Sequence, residues 1–354
     1  VTDLATAYSH GPGRVVQSGP PPEVVAVTGT RVPLAELAAQ GRFGAAVAHL
    51  LVDVASPLRW EPWNQYNDHR AYPSARAAYL VDIVVVVGHG RWTLDPVRRA
   101  TIGDDAPVLG RTVRLDLVRH PERLSPGYHG FADVLTELEV GHLAAALVEH
   151  AEQLGLRATA DGDHVVVRSD QETGLPVGPL PARSSGVGPR GIAADPRPLP
   201  AEALRAFVDA ICGPELRHRL AVRNVVGIPD GWYAVNPLRL LAPGAAMHEV
   251  RDAFGHPATT FDVAGMNLAL VTTADLAAAD SYPALLRAAG ACAQHVCSAA
   301  ASAGMFCRPA RSTTDERLEA AVHAPPSHSL LYLLAAGRPR ATGFSYDLSP
   351  LEAP

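Results

Sequence analysis

The chain has 354 residues, a formal net charge of −6 and 47% hydrophobic residues, enough length for two domains that each bury a core. No apolar run reaches membrane-spanning length and positive charge is not concentrated, which argues against membrane and nucleic-acid partners and predicts a soluble, cytoplasmic protein. All 30 basic residues are arginine, which excludes a lysine Schiff base and a P-loop and leaves arginine to hold any phosphate.

Residues 1–30 are rich in Gly and Pro and read as a flexible N-terminal segment. The apolar spacing predicts a helix over 33–55, opened by a proline. A polar, aromatic loop with Trp60, Trp63, Tyr66 and Tyr72 follows. The valine run in AAYLVDIVVVVG reads as a strand buried on both faces, and VRLDLV at 113–118 as a second strand. A helix is predicted over 138–156, then a strand over 163–169. Residues 171–200 form a Pro/Gly-rich linker. The second half repeats the order: an amphipathic helix from Pro200, strands at 231–235 and 267–274, a helix over 287–305 and a closing strand at 329–337.

The two central helices share a frame. Counted from Gly141 and Gly290, Leu143, Leu147, Ala151 and Leu154 occupy the same offsets as Cys292, Val296, Ala300 and Ala303. Gly155 and Gly304 then close both as C-terminal caps. The duplicated helices sit in duplicated surroundings, so the chain reads as an α+β protein of two fused half-domains, an intrachain pseudo-dimer, with domains at 31–170 and 201–345.

Metal and thiol chemistry find little support. His248 and Glu249 begin an HExxH pattern that fails because position 252 is Asp. The four cysteines form no Cys-x-x-Cys pair, and Cys292 on an apolar helix face reads as a small buried hydrophobe.

Several segments together resemble the flavin-dependent nitroreductase superfamily. The block from Met305 to Pro339, MFCRPARSTTDERLEAAVHAPPSHSLLYLLAAGRP, is similar to its C-terminal part, in which a Cys/Pro-containing turn passes the flavin ring and the last strand ends in Gly-Arg-Pro. RSSGVGPRGIAADPRPLPAEALRAFVDA at 183–210 resembles its Arg-x-Ser signature. RAYPSARAAYLVDIVVVV at 70–87 and LSPGYHGFADVLTELEVGHLAAAL at 124–147 are similar to segments of its azoline-dehydrogenase branch, which oxidises thiazoline and oxazoline rings in modified peptides. Arg76 stands where that branch has glycine, and its Lys-Tyr pair is missing.

The resemblance implies one FMN per chain, held by Pro73, Ser74, Ala75 and Arg76 from the first half and by Arg183, Ser185, Arg190, Arg338 and Arg340 from the second. It places Cys307, Arg308 and Pro309 beside the ring, where a backbone N–H meets N5 and Arg308 or Arg311 supplies positive charge. Tyr128 and His129 are the candidate catalytic base, because a neutral imidazole accepts a proton near pH 7. The activity implied is oxidation of azoline rings to azoles. The rivals are an NAD(P)H-dependent reductase of nitro, quinone or enone compounds and a flavin-free partner protein. The partners implied are a peptide or small-molecule substrate, companion modifying enzymes and a second copy of the chain.

Overall fold

The structure, a computed structural model, describes residues 28–61, 64, 69–169, 181–188, 191–277, 281–340 and 345–348. Arg190, Trp63, Tyr66, residues 1–27 of the N-terminal segment and residues 171–180 and 189–190 of the linker lie outside them. The chain divides into two compact units. Among the described residues, the N-terminal unit comprises those within 28–125, 142–169 and 345–348, and the C-terminal unit those within 126–141 and 181–340.

In the N-terminal unit, β1 (Thr30–Pro33) leads into α1 (Leu34–Ala38) and α2 (Arg42–Ala55). The single helix predicted over 33–55 is broken at Gly41, whose φ of 106° lies far from helical values. The two short helices pack closely: a Cβ on Gly44 would sit 2.2 Å from the Leu37 carbonyl oxygen. The loop strand β2 (Arg59–Trp60) pairs with β17 (Tyr346–Asp347) near the C-terminus. The valine strand begins at Val81 because Ala77 and Tyr79 hold left-handed backbone, φ 53° and 49°.

That strand, β3 (Val81–Val87), is central in a seven-stranded antiparallel sheet with β4 (Gly90–Asp95), β5 (Ala100–Gly103), β6 (Thr112–Arg119), β7 (Leu156–Asp161) and β8 (His164–Ser169). Its order is β1-β5-β4-β3-β6-β8-β7. Val81, Ile83, Val84, Val85 and Val86 are all buried, as expected of a strand covered on both faces.

The C-terminal unit holds a six-stranded antiparallel sheet. Its strands are β11 (Leu216–Val222), β12 (Gly231–Ala234), β13 (Arg239–Pro243), β14 (Leu268–Asp275), β15 (Phe306–Ala310) and β16 (His328–Gly337). Two short strands, β9 (Val187–Gly188) and β10 (Gly191–Ile192), pair with each other. The helices are α4 (Ala201–Asp209), α5 (Ala246–Asp252), α6 (Tyr282–Ser302) and α7 (Asp315–Ala321), while α3 (Phe131–Gln153) begins in this unit.

The sheet order β13-β12-β11-β14-β16-β15 repeats β5-β4-β3-β6-β8-β7 strand for strand. In each unit three antiparallel strands precede a fourth that feeds a long helix. The helix ends at a left-handed glycine, Gly155 (φ 68°) or Gly304 (φ 70°), and the chain returns as an edge strand. Three of the four matched offsets hold: Leu143, Leu147 and Ala151 are buried on α3, and Cys292, Val296 and Ala300 on α6, whereas Leu154 and Ala303 lie just past the helix ends and are half-buried. The architecture is thus α+β with two half-domains built on one plan.

Candidate functional site

The C-terminal unit brings together segments that lie far apart in sequence. Strand β15 is paired on one side with β16, Phe306 opposite Gly337 and Arg308 opposite Ala335. On its other side the Cys307 N–H donates to the Ser184 carbonyl at 2.9 Å, which lays residues 183–186 along the edge. The lie is close because Gly186 has φ 73° and a Cβ there would fall 2.4 Å from the Phe306 ring. Beyond β16, the Arg338 N–H donates to Asn267 Oδ1 at 3.1 Å, and the Arg338 carbonyl accepts from Asp195 N–H at 2.9 Å. Arg183, Ser185, Cys307, Arg308 and Pro309 therefore share the β15 edge, while Arg338 follows the end of β16, next to Gly337, the partner of Phe306.

The C-terminal arginines also serve the fold. Arg340 Nε donates to the Ala194 carbonyl at 2.9 Å, and Arg338 Nη1 approaches the Pro198 carbonyl at 3.5 Å. Both strap residues 194–198 to the end of β16. A guanidinium has five N–H donors, so these contacts leave donors for a phosphate.

The expected chemistry beside a flavin ring changes in two respects. Residues 307–310 form a strand rather than a turn, and the Cys307 N–H already has the Ser184 carbonyl as its acceptor, while Pro309 has no N–H. Arg311 is only 8% exposed, and its Nη1 donates to both Asp315 carboxylate oxygens at 2.7 Å, with Nη2 donating to the Leu330 carbonyl at 3.1 Å. That buried pair neutralises Arg311. Arg308 is half-buried with its guanidinium carbon 5.7 Å from the Phe261 ring centre, which makes it the cation this strand offers.

The thiols add what the spacing could not reveal. Cys212 N–H donates to Cys292 Sγ at 3.3 Å, and a hydrogen bond with Cys212, then burial, pushes the Cys292 thiol up. A hydrogen bond with Cys297, then burial, likewise pushes the Cys307 thiol up, while Arg183 pulls it down. Burial raises Tyr332 in the same place, Cys297 and Glu139 adding to it and Arg183 opposing. Arg183 thus faces a buried thiol and a buried phenol as well as the sheet edge. The four cysteines form two neighbouring pairs, Cys212 with Cys292 and Cys297 with Cys307, and among the described residues no cluster of His, Cys, Asp and Glu could hold a metal ion.

Tyr128 and His129 lie in the turn before α3. Tyr128 is 9% exposed, whereas His129 is exposed with φ 45° and its N–H donates to the Pro126 carbonyl at 3.1 Å. Phe131, two residues on, stands with its ring centre 5.8 Å from the Arg311 guanidinium carbon. Further along α3, Glu137 accepts from Arg287 Nη1 at 2.8 Å, and a Cβ on Gly141 would lie 2.0 Å from the Arg287 carbonyl oxygen. The glycine therefore sits where α3 and α6 touch backbone to backbone.

In the N-terminal unit, Pro73, Ser74, Ala75 and Arg76 form a tight turn. Ser74 Oγ accepts from Tyr79 N–H at 2.8 Å, and the Ser74 and Ala75 carbonyls accept from Ala77 and Ala78. Arg76 has φ 54° and ψ 23°, left-handed backbone that glycine adopts freely. This explains why glycine suits the position and what strain arginine brings there.

Among the described residues no helix is long and apolar enough to cross a membrane. The fold is nitroreductase-like. A structure from Anabaena variabilis described as a nitroreductase superposes over 90% of this chain and 93% of its own, with a TM-score of 0.71 and 14% identity. Partial likenesses include a chain of the E. coli microcin synthetase McbBCD complex with truncated pro-MccB17 (TM-score 0.36, 16% identity, 44% of this chain and 71% of that one). Another is a nitroreductase-type protein of Desulfovibrio desulfuricans in complex with FMN (TM-score 0.33, 17% identity, 47% and 88%). No family model matches the sequence, and no curated protein does.

Proposed function

We propose that the protein is an FMN-dependent oxidoreductase that oxidises azoline rings to azoles in a modified peptide. The observation that carries the reading is the meeting of Arg183 and Ser185 with Cys307 to Pro309 along the β15 edge, with Arg338 just past the adjoining end of β16. The donor set suits a flavin phosphate: Arg183, Arg338 and Arg340 provide charged forks and Ser185 a hydroxyl. Bound FMN would supply the two-electron acceptor that azoline oxidation requires.

The chain's own residues have the remaining work. Arg183, Arg338 and Arg340 hold the phosphate and fix the cofactor's register. Arg308 supplies positive charge, now that Asp315 neutralises Arg311. The exposed His129 accepts the substrate proton on its imidazole, and Tyr128 buttresses the turn that carries it. A flavin-free partner protein is the second reading, favoured by the commitment of the Cys307 N–H to Ser184.

The absorbance spectrum of the purified protein, with flavin counted per chain, decides between them. We expect flavin bands at one FMN per chain, lost in Arg183→Gln/Arg338→Gln while the circular dichroism is kept. A colourless protein that cannot be reconstituted would establish the second reading. Rapid bleaching by NAD(P)H would point instead to a reductase.

A further inference from the structure

A second charged cluster lies on the face of the C-terminal sheet, apart from the proposed flavin edge. Arg217 and Arg219 alternate along β11 and so share one face. Arg219 is opposite Ala234 on β12, and Ala234 is opposite Arg239 on β13, so one small side chain separates two guanidinium stems. On the other side Arg217 is opposite Thr273 of β14, whose Oγ1 lies 3.5 Å from Nδ1 of His328 on β16. Four strands thus bring three arginines, a hydroxyl and an imidazole to one patch.

The charges in this patch are not balanced. Among the described residues none of the three arginines makes an ion pair with a carboxylate; Arg219 Nη1 donates to the His218 carbonyl at 3.0 Å. Burial, then Arg217 and Arg239, hold the Arg219 guanidinium below its usual range. Burial and Arg217 likewise lower His328, Asp275 raises it, and Arg219 lowers it again. Asp275, opposite His328, turns its Oδ1 to the Ala277 N–H at 3.0 Å, and Glu319 of α7 turns its Oε1 to the Leu330 N–H at 2.7 Å. Like charges held this close raise the energy of the folded state, and an anion placed among them relieves it.

We propose that Arg217, Arg219 and Arg239, with Thr273 and His328 at the margin, bind an oxyanion group, a phosphate or a carboxylate, carried by a small molecule. Arginine forks match both groups in a bidentate manner, and Ala234 leaves the floor between Arg219 and Arg239 open. The site is independent of the flavin reading.

The test follows the His328 ring proton by nuclear magnetic resonance through a pH titration, the signal being assigned by its loss in His328→Gln. Chloride is compared with sulfate, a tetrahedral oxyanion, and with succinate, a carboxylate, at matched ionic strength. We expect the His328 midpoint to rise by about one pH unit in sulfate or succinate, the larger response identifying the preferred group. Arg217→Gln/Arg219→Gln should raise the midpoint in chloride and remove the response to both anions. Equal midpoints in all three salts, or a response that survives the double substitution, would overturn the proposal. Should that double variant fail to fold, the exposed Arg239→Gln decides: it should weaken the apparent anion affinity at least several-fold, and unchanged affinity would overturn the site.

Discussion

The two sheets share a strand order and differ in what covers them. In the C-terminal sheet, α5 lies between β13 and β14 and α7 between β15 and β16 in the chain. Met247, Val250 and Leu318 from these helices, and Val322 just past α7, pack with Val271, Leu333 and Ala335 of the strands. In the N-terminal sheet β7 turns straight into β8 through Gly162, and no helix separates β5 from β6. Strand order, the long helix and its closing glycine are therefore the common specification. The added helices and the arginines of both proposed sites belong to the C-terminal unit, so the units diverged in their additions rather than in their frame.

The comparison can be broken most severely at Gly141. Its Cβ would meet the backbone of α6, which cannot swing aside as a flexible side chain would, so Gly141→Ala should cost about 3 kcal/mol in denaturant unfolding. An acid titration should expose a further difference between the sheets. In place of the valines that fill β3, β11 carries His218, whose Nε2 lies 3.2 Å from the Cys212 carbonyl and Nδ1 3.1 Å from Thr272 Oγ1. The carbonyl can only accept, so Nε2 carries a proton, and burial disfavours a second one on Nδ1.

Burial pushes the His218 pKa down to about 4 from 6.5. Above 6.5 the ring is neutral in both folded and unfolded chains and contributes no pH dependence. Below it the unfolded chain takes up a proton that the folded one refuses, so stability falls by about 3 kcal/mol between pH 6.5 and 4 and then levels off. Denaturant curves at stepped pH should show this slope, and His218→Gln should flatten it; an unchanged slope would assign the acid sensitivity elsewhere.

Smaller effects sharpen the likeness. Gly155→Ala and Gly304→Ala should each cost about 1 kcal/mol, since both impose left-handed backbone on a residue with a Cβ. Unequal losses would mean that the two helix ends are not equivalent. Arg76→Gly should act in the opposite direction, stabilising by about 1 kcal/mol through relief of the same strain; destabilisation would mean that the arginine side chain contributes more than its backbone costs.

Much of the frame was legible in the residues. The matched offsets from Gly141 and Gly290 depend on a helical period that tertiary packing preserves, and the valine run could hardly be anything but a central strand. The short strands β4, β5 and β13 escaped notice because polar and apolar residues alternate over too few positions. Gly41 escaped because a helical period carries no record of φ at one residue. At the candidate site the order of segments was readable, but their convergence depends on strand register. The Arg311 to Asp315 ion pair spans non-helical backbone ahead of α7, where a spacing of four carries no pairing signal. The Cys212 and Cys292 pairing spans 80 residues and leaves no local trace.

Strand β15 is the outermost strand of its sheet, a position that in isolation offers its backbone to any passing chain. Ser184 takes the Cys307 N–H on that side, and Pro309 removes another donor. The same contact that brings Arg183 to the proposed site therefore guards against edge-to-edge aggregation. A variant in which residues 181–188 are deleted should lose solubility even where its core is intact, so the segment would be retained whether or not a cofactor is bound.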